Sequence, residues 1–323
     1  MKKRKTPLFV GFEGLEPDWL SLKEINPLGV VLFQRNLDAL EQIQDVCRKI
    51  HDTCPGSVIA IDQEGGRVNR LSHLLPPFPA PPTWKNAKDC YDAGYTMGRA
   101  LRALDIDMNF APAVDLDYGE DDNALQGRLL GSRPEKVVEF SDAYLRGLTA
   151  AGCMGCIKHF PGLGTTKVDS HLFLPKYRGT YKTWQQEEAA VYKGLLAGKW
   201  SAVPVMMAHC IIPFWENQIA SSSALAVENL RAMGSTGLIM TDDLEMKAVP
   251  EDELEPFCRR SLKAGVDILM VCQSKTKAER MFEWSKDHPS RAQERLKAHR
   301  AQCQDLKPIS LAELEPLWTS FQV

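Results

Sequence analysis

Two polar stretches hold most of the side chains able to move protons or attack an electrophile. The first, from Lys158 to Pro175, reads Lys-His-Phe-Pro-Gly-Leu-Gly-Thr-Thr-Lys-Val-Asp-Ser-His-Leu-Phe-Leu-Pro and follows the apolar run Gly155-Cys156-Ile157. Its glycines and prolines force an irregular loop just past a strand, where scaffolds commonly carry their chemistry. Asp169 and His171 stand two residues apart in it. At that spacing a carboxylate can hydrogen-bond one imidazole nitrogen and leave the other to move a proton. The second stretch, Met240-Thr241-Asp242-Asp243-Leu244, also follows an apolar run. A carboxylate such as Asp242 at a strand end can serve as base, metal ligand or nucleophile. The sequence lacks His-x-His and His-x-Glu spacings, so no metal is expected. Arg67, Arg70 and Arg128 offer forked donors for hydroxyls or carboxylates.

These residues need a frame, and the hydrophobic pattern supplies one. Short apolar runs recur at Leu8–Phe12, Gly29–Phe33, Val58–Asp62, Asp107–Val114, Gly155–His159, Ala202–His209, Gly237–Thr241 and Val266–Cys272. Their continuous apolarity fits strands covered on both faces, as in a parallel sheet. Helical patterns lie between them, for example Leu40–His51, Ala87–Leu104, Pro134–Ala151 and Glu255–Ala264. Pro134-Glu135 suits a helix first turn, while Gly152 and Gly265 suit helix ends. Strand and helix alternating in this way predict a single-domain (β/α)8 barrel over residues 1–323, with a helical C-terminal segment from about 273. A doubly wound open sheet is the competing architecture. The barrel is preferred because Asp62, Asp115, His159, His209 and Asp242 all stand at or just after strand C-termini, and a barrel gathers them at one mouth. Leu74–Pro82 is a stiff, proline-rich loop.

Composition narrows the function classes. The net charge of −3 supplies no excess of cations for phosphates or an anionic membrane, so no nucleic-acid or membrane partner is expected. The basic start, Met1 to Lys5, precedes an apolar run too short for a signal core, and no run reaches a membrane span. The nine cysteines, several within apolar runs, read as reduced, buried thiols of a cytoplasmic protein. Cys153 and Cys156 have CxxC spacing but no second ligand pair that would make a zinc site.

Five segments then carry a resemblance. Ile61-Asp62-Gln63-Glu64-Gly65-Gly66-Arg67-Val68, Asn109–Asp115, Lys158–Gly162, Asp169–His171 and Thr241–Met246 stand in the order and spacing of glycoside hydrolase family 3. Together they resemble its single-domain bacterial β-N-acetylglucosaminidases, which recycle cell-wall fragments in the cytoplasm. The resemblance implies a retaining exo-hydrolase that removes terminal N-acetylglucosamine from muropeptide-type disaccharides. It implies Asp242 as the nucleophile, His171 as acid/base and Asp169 as its partner. It also implies Asp62, Arg70, Arg128, Lys158 and His159 as ligands of the sugar ring. A retaining glycosidase needs one anionic nucleophile and one proton donor, and a histidine backed by a carboxylate can be that donor. No cofactor is implied, the partner is the sugar substrate, and a monomer is expected.

The chain departs from the family pattern in three places. Leu163 replaces a second histidine, Thr165 replaces an acid or asparagine, and Leu125-Gln-Gly-Arg128 replaces Ile-Gly-Asp-Arg. Two other readings stay open. A neutral histidine does not repel phosphate, so phosphorolysis is a rival to hydrolysis, with Lys167 and the Gly162–Gly164 backbone as candidate anion ligands. A sugar-binding barrel without catalysis is the other.

Overall fold

The computed structural model describes residues 4–119, 124–166, 174–215, 217–249 and 251–322. The strands are β1 Thr6–Val10, β2 Pro27–Leu32, β3 Val58–Ile61, β4 Met108–Asn109, β5 Met154–Gly155, β6 Ile157–Phe160, β7 Val205–Met207, β8 Ile239–Asp243 and β9 Ile268–Val271. The helices are α1 Trp19–Ile25, α2 Leu40–Thr53, α3 Ala87–Ala103, α4 Pro134–Ala150, α5 Tyr181–Gln186, α6 Glu188–Leu196, α7 Ala224–Ala232, α8 Leu254–Ala264, α9 Lys275–Ser285, α10 Ala292–Arg300 and α11 Leu311–Ser320.

The strands pair in parallel in the order β5-β4-β3-β2-β1-β9-β8-β7-β6. The two ends of that order, β5 and β6, are separated in the chain by Cys156 alone. They are therefore two halves of one barrel position, and the ring closes there as a (β/α)8 barrel. The expected fourth strand, Asp107–Val114, is shorter than its apolar run: Met108–Asn109 form the ladder, and Ala113 bridges separately to Lys158.

Every strand is covered on both faces, and the pleat sorts the residues. Phe9, Val31, Ala60, Met108, Cys156, Met240 and Met270 fill the barrel, while Leu8, Val30, Ile59, Ile157, Ile239 and Leu269 pack on the helices. Gly29 answers to this filling, since a Cβ there would lie 2.5 Å from the Phe9 ring. Outside the barrel, α3 and α4 approach closely because Gly94 and Gly147 face each other's backbones. That contact sets Tyr144, whose hydroxyl accepts from Asn109 Nδ2 at 3.1 Å. Asn109 in turn brackets Gln63, accepting its N–H and donating to its carbonyl. Gln63–Gly65 thereby begins a hairpin with Val68–Asn69 above β3.

The C-terminal helices support the same region. Trp318 Nε1 of α11 donates to Pro76 O at 2.8 Å, and the Phe78 ring lies against Trp318 and Phe321. Phe78 O accepts from Gly66 N, so the proline-rich loop ties α11 to the hairpin turn. All nine cysteines are free thiols, including the Cys153–Cys156 pair, which burial pushes up in pKa. Among the described residues no helix is long and apolar enough to cross a membrane.

His299 of α10 seals the interruption between β5 and β6. Its Nε2 accepts the Gly155 N–H at 3.2 Å and its Nδ1 donates to Gln302 Oε1 at 3.0 Å. Burial pushes its pKa from 6.5 down to about 4, against the upward pull of these two bonds. A folded-state pKa below the unfolded one means that stability is present above the unfolded value and is lost as pH falls through the folded one. The loss between neutral pH and pH 4 should be about 3 kcal/mol at about 1.4 kcal/mol per pH unit. His299→Gln keeps an acceptor but does not titrate. Urea unfolding at both pH values should show a drop smaller by about that amount in the variant; equal drops would contradict it.

Candidate active site

The alternation that fills the barrel also points its chemistry. Two residues beyond the inward-facing Ala60, Cys156 and Met240 come Asp62, Lys158 and Asp242. They share the inward parity but stand at the strand C-termini, above the last apolar layer. Met206 of β7 lies among them as floor. The result is a cavity of about 300 Å³ lined by Asp62, Glu64, Arg67, Arg70, Arg128, Lys158, His159, Leu163, Met206 and Asp242, with Val68, Ala124 and Leu125 at its edge.

Lys158 is 2% exposed and its ammonium touches Asp62 Oδ1 and Glu64 Oε1, each at 2.6 Å. Glu64 is 3% exposed and holds Arg128 in a fork, 2.9 Å to Nε and 2.8 Å to Nη2. Arg70 Nη2 lies 3.7 Å from Asp62 Oδ2. Burial alone would push the Glu64 carboxyl up, but Arg128 and Lys158 outweigh it and hold the group well below the usual carboxylate range. Asp62 is likewise lowered, burial being overcome by Lys158 and Arg70. Burial pulls Lys158 down and its two carboxylates more than restore it. The cluster is thus fully ionised at neutral pH and presents fixed charges to a polar ligand.

His159 is set by Asp115, which is completely buried. Asp115 Oδ2 accepts the His159 N–H at 3.1 Å and lies 2.8 Å from Nδ1, while Oδ1 accepts the Leu163 N–H at 2.7 Å. Nδ1 is the protonated nitrogen in this bond, so Nε2 is left to face the cavity side. At β8 the work is divided among neighbours. Asp243 accepts from the Glu245 and Cys272 N–H groups, and Glu245 accepts from Ser274 N. Burial pushes Asp243 up to about 7 against the pull of the Glu245 N–H. Asp242 Oδ1 accepts the N–H of Asp243 at 2.8 Å, and its carboxylate lines the cavity. His209, at the end of β7, does not join them. It is buried between Ser221 Oγ and the Asp243 carbonyl, and burial lowers its pKa.

Of the residues singled out in the sequence, Asp62, Arg67, Arg70, Arg128, Lys158, His159 and Asp242 line one cavity. Asp169, His171 and Lys167 lie outside the described residues. Two contributors have no role that the sequence alone assigns. Glu64 lies in the Asp-Gln-Glu-Gly-Gly stretch, but only the fold shows it reaching Arg128 and Lys158. Asp115 is legible as a strand-end carboxylate, whereas its grip on His159 and Leu163 is tertiary. The altered Leu125-Gln-Gly-Arg128 stretch still delivers Arg128 to the cavity, because Glu64 receives its guanidinium.

Comparison with known proteins gives a concordant picture. Residues 16–301 match the family model described as the glycosyl hydrolase family 3 N terminal domain. A β-hexosaminidase of Tolumonas auensis is 30% identical over 303 residues, covering 90% of each chain. A glycoside hydrolase family 3 β-N-acetylglucosaminidase from Paenibacillus sp. str. FPU-7 superposes with a TM-score of 0.84 at 27% identity, covering 98% of this chain and 66% of that longer one. NagZ from Neisseria gonorrhoeae, in complex with N-trifluoroacetyl-D-glucosamine, has the same fold, with a TM-score of 0.85 at 24% identity and coverage of 98% and 97%.

Glu64 carries the site's electrostatic argument and can be tested directly. Glu64→Gln leaves Arg128 and Lys158 buried with a neutral neighbour. Unfolding in urea at pH 7 should show a loss of about 3 kcal/mol, the usual result of removing one member of a buried ion pair. A loss below about 0.5 kcal/mol, as for exposed pairs, would show the network to be solvated.

Proposed function

Because the chain belongs to glycoside hydrolase family 3 and is a glycoside hydrolase, we propose that it is a retaining exo-β-N-acetylglucosaminidase. Its substrate is a muropeptide-type disaccharide ending in N-acetylglucosamine, and its role is peptidoglycan recycling in the cytoplasm by a monomeric, single-domain enzyme. The observation that carries this reading is the cavity in which Asp242 faces the Asp62–Lys158–Glu64–Arg128 cluster. A sugar ring presents neighbouring hydroxyls, and alternating fixed donors and acceptors suit that pattern better than an apolar pocket does. The free, reduced cysteines support the cytoplasmic assignment.

In this scheme Asp242 attacks the anomeric carbon and the glycosidic C–O bond breaks. His171, oriented by Asp169, gives its proton to the leaving oxygen. The same histidine then takes a proton from water, which attacks the glycosyl-enzyme and frees Asp242. Asp62, Arg70, Arg128, Lys158 and His159 hold the ring. One observation favours the phosphorolytic alternative. Arg67 at the cavity rim bonds the Gln126 carbonyl and, among the described residues, no carboxylate, so its charge is available to an anion. Product analysis of a chromogenic aryl N-acetyl-β-glucosaminide with and without millimolar phosphate tests the assignment. Free N-acetylglucosamine in both supports hydrolysis; the 1-phosphate and faster turnover replace it with phosphorolysis; no turnover favours a binding protein.

Asp242→Asn should lower kcat by roughly 10³-fold or more while the thermal transition stays near that of the parent, since it removes the attacking charge and little packing. A 2-fluoro sugar should label Asp242, and a label on another peptide would refute the role. His171→Ala should spare glycosyl-enzyme formation from aryl substrates with good leaving groups more than from a disaccharide. The intermediate should then accumulate and azide should rescue turnover. Equal losses for both substrate types without rescue would exclude His171 as the acid/base.

A further inference from the structure

Beneath the loop that follows β6 lies a carboxyl that the reaction scheme leaves unused. Glu188 is the first residue of α6, is 0% exposed, and has neither carboxylate oxygen in a hydrogen bond with a described residue. No lysine, arginine or histidine is paired with it among the described residues. The groups facing it are Asp115 after β4, the Leu116 N–H, Tyr118 on the same segment, Glu187 beside it, and Tyr177 and Tyr192. The Tyr177 and Tyr192 hydroxyls are likewise unbonded among the described residues, and Tyr118 donates its hydroxyl to Glu187 at 2.8 Å.

The loop sits directly on this carboxyl. A Cβ at Gly162, whose φ is +123°, would lie 2.5 Å from Glu188 Cδ. On one side Pro161 O accepts from Trp184 Nε1 at 3.0 Å; on the other the Leu163 N–H bonds Asp115 at 2.7 Å. A Cβ at Gly164 would lie 2.1 Å from the Leu116 carbonyl oxygen. Consecutive loop residues therefore rest on Trp184, Glu188, Asp115 and Leu116, and the same loop continues in sequence to Asp169 and His171. An ionised carboxylate with no cation beside it and another acid nearby is strongly disfavoured in such a place, whereas the acid form is not.

We propose that Glu188 is a positioning residue of the reaction: as an uncharged carboxylic acid under Gly162 it seats the loop leading to His171, and its ionisation unseats that loop. The proposal rests on the reading of His171 as acid/base. Burial and Asp115 raise the Glu188 pKa well above the usual carboxylate range, against the Leu116 N–H. Burial also pushes the Tyr118, Tyr177 and Tyr192 phenols up, so the groups around Glu188 favour their neutral forms as well. Activity should therefore fall at alkaline pH through kcat, with KM nearly constant.

Glu188→Gln is isosteric and permanently neutral. At neutral pH it should keep kcat within about 3-fold of the parent, and it should move the alkaline fall in kcat upward by at least about one pH unit. A loss above about 100-fold at neutral pH, or an unchanged alkaline fall, would overturn the proposal. Hydrogen exchange of the peptide spanning residues 160–166 reads the loop without catalysis. After correction for intrinsic rates, exchange should accelerate across the same alkaline range in the parent and stay flat in Glu188→Gln. If neither protein turns over substrate, the functional reading fails while this arm still decides the loop. If the variant does not fold, absence of an alkaline step in the parent's exchange is enough to refute the role.

Discussion

The Lys158 ammonium, buried at the barrel mouth, is the constraint around which the site is arranged. An unpaired cation at that depth would be several kcal/mol unfavourable, so carboxylates must follow it inward. Asp62 and Glu64 do so from the next-but-one barrel position, each at 2.6 Å. Glu64 is then itself a buried anion, and Arg128 closes its other face in a fork. Each charge explains the next, and the chain of compensation ends at Arg70, Arg67 and the open cavity. A ligand entering there meets charges already desolvated and held, which is the condition under which polar recognition is strong.

Neighbouring residues in each motif do different work because strand side chains alternate in direction. Asp242 faces the cavity, while Asp243 and Glu245 tie down the backbone after β8 and β9. Lys158 and His159 both line the mouth, but Lys158 is met by Asp62 and Glu64 whereas His159 is held by Asp115. Asp62 reaches the cavity and Gln63 is consumed in bracing the hairpin through Asn109 and Asn69. A pair such as Asp242-Asp243 offers two chemically equal carboxylates in the sequence, and the environment makes them unequal. Asp243 takes the Glu245 and Cys272 N–H groups and is raised to about 7 by burial; Asp242 takes the single N–H of Asp243 and lines the cavity.

Acids bearing on the loop after β6 are handled in two ways. Asp115 satisfies its oxygens with backbone and imidazole N–H groups, and Glu188 has no cation beside it among the described residues and only the Leu116 N–H and Tyr118 to oppose its burial. The first fixes the loop by directed bonds and the second by contact, with Gly162 and Gly164 allowing the backbone to lie against its supports. The barrel's opposite face shows the directed solution twice more, with Asp107 bonded to Arg102 and Arg300, and Asp267 to Arg231 and Arg295.

Much of the frame is legible in the order of residues alone. Continuous apolar runs mark both-face burial, which puts the eight barrel positions near their true places, and Gly152 and Gly265 mark the helix ends at Ala150 and Ala264. Parity within a strand also indicates that Asp62 and Asp242 face the way Ala60 and Met240 do. Short helices such as α1, α5 and α7 leave weaker signals, because their stability comes from packing against the barrel and little from their own periodicity. Local sequence carries no record of partners far along the chain. Glu64 meets Arg128 and Lys158, Asp115 meets His159, and Glu188 lies under Gly162 only once the barrel has closed at Cys156. Residue types and spacing determined which groups were available for chemistry and that Asp62, His159 and Asp242 would share one mouth, whereas His209, expected with them, is turned onto Ser221 and the Asp243 carbonyl. The closed barrel decided which carboxylate is paired with a cation, which is buried with no cation beside it among the described residues and which lines the cavity, because burial and ion pairing depend on three-dimensional neighbours.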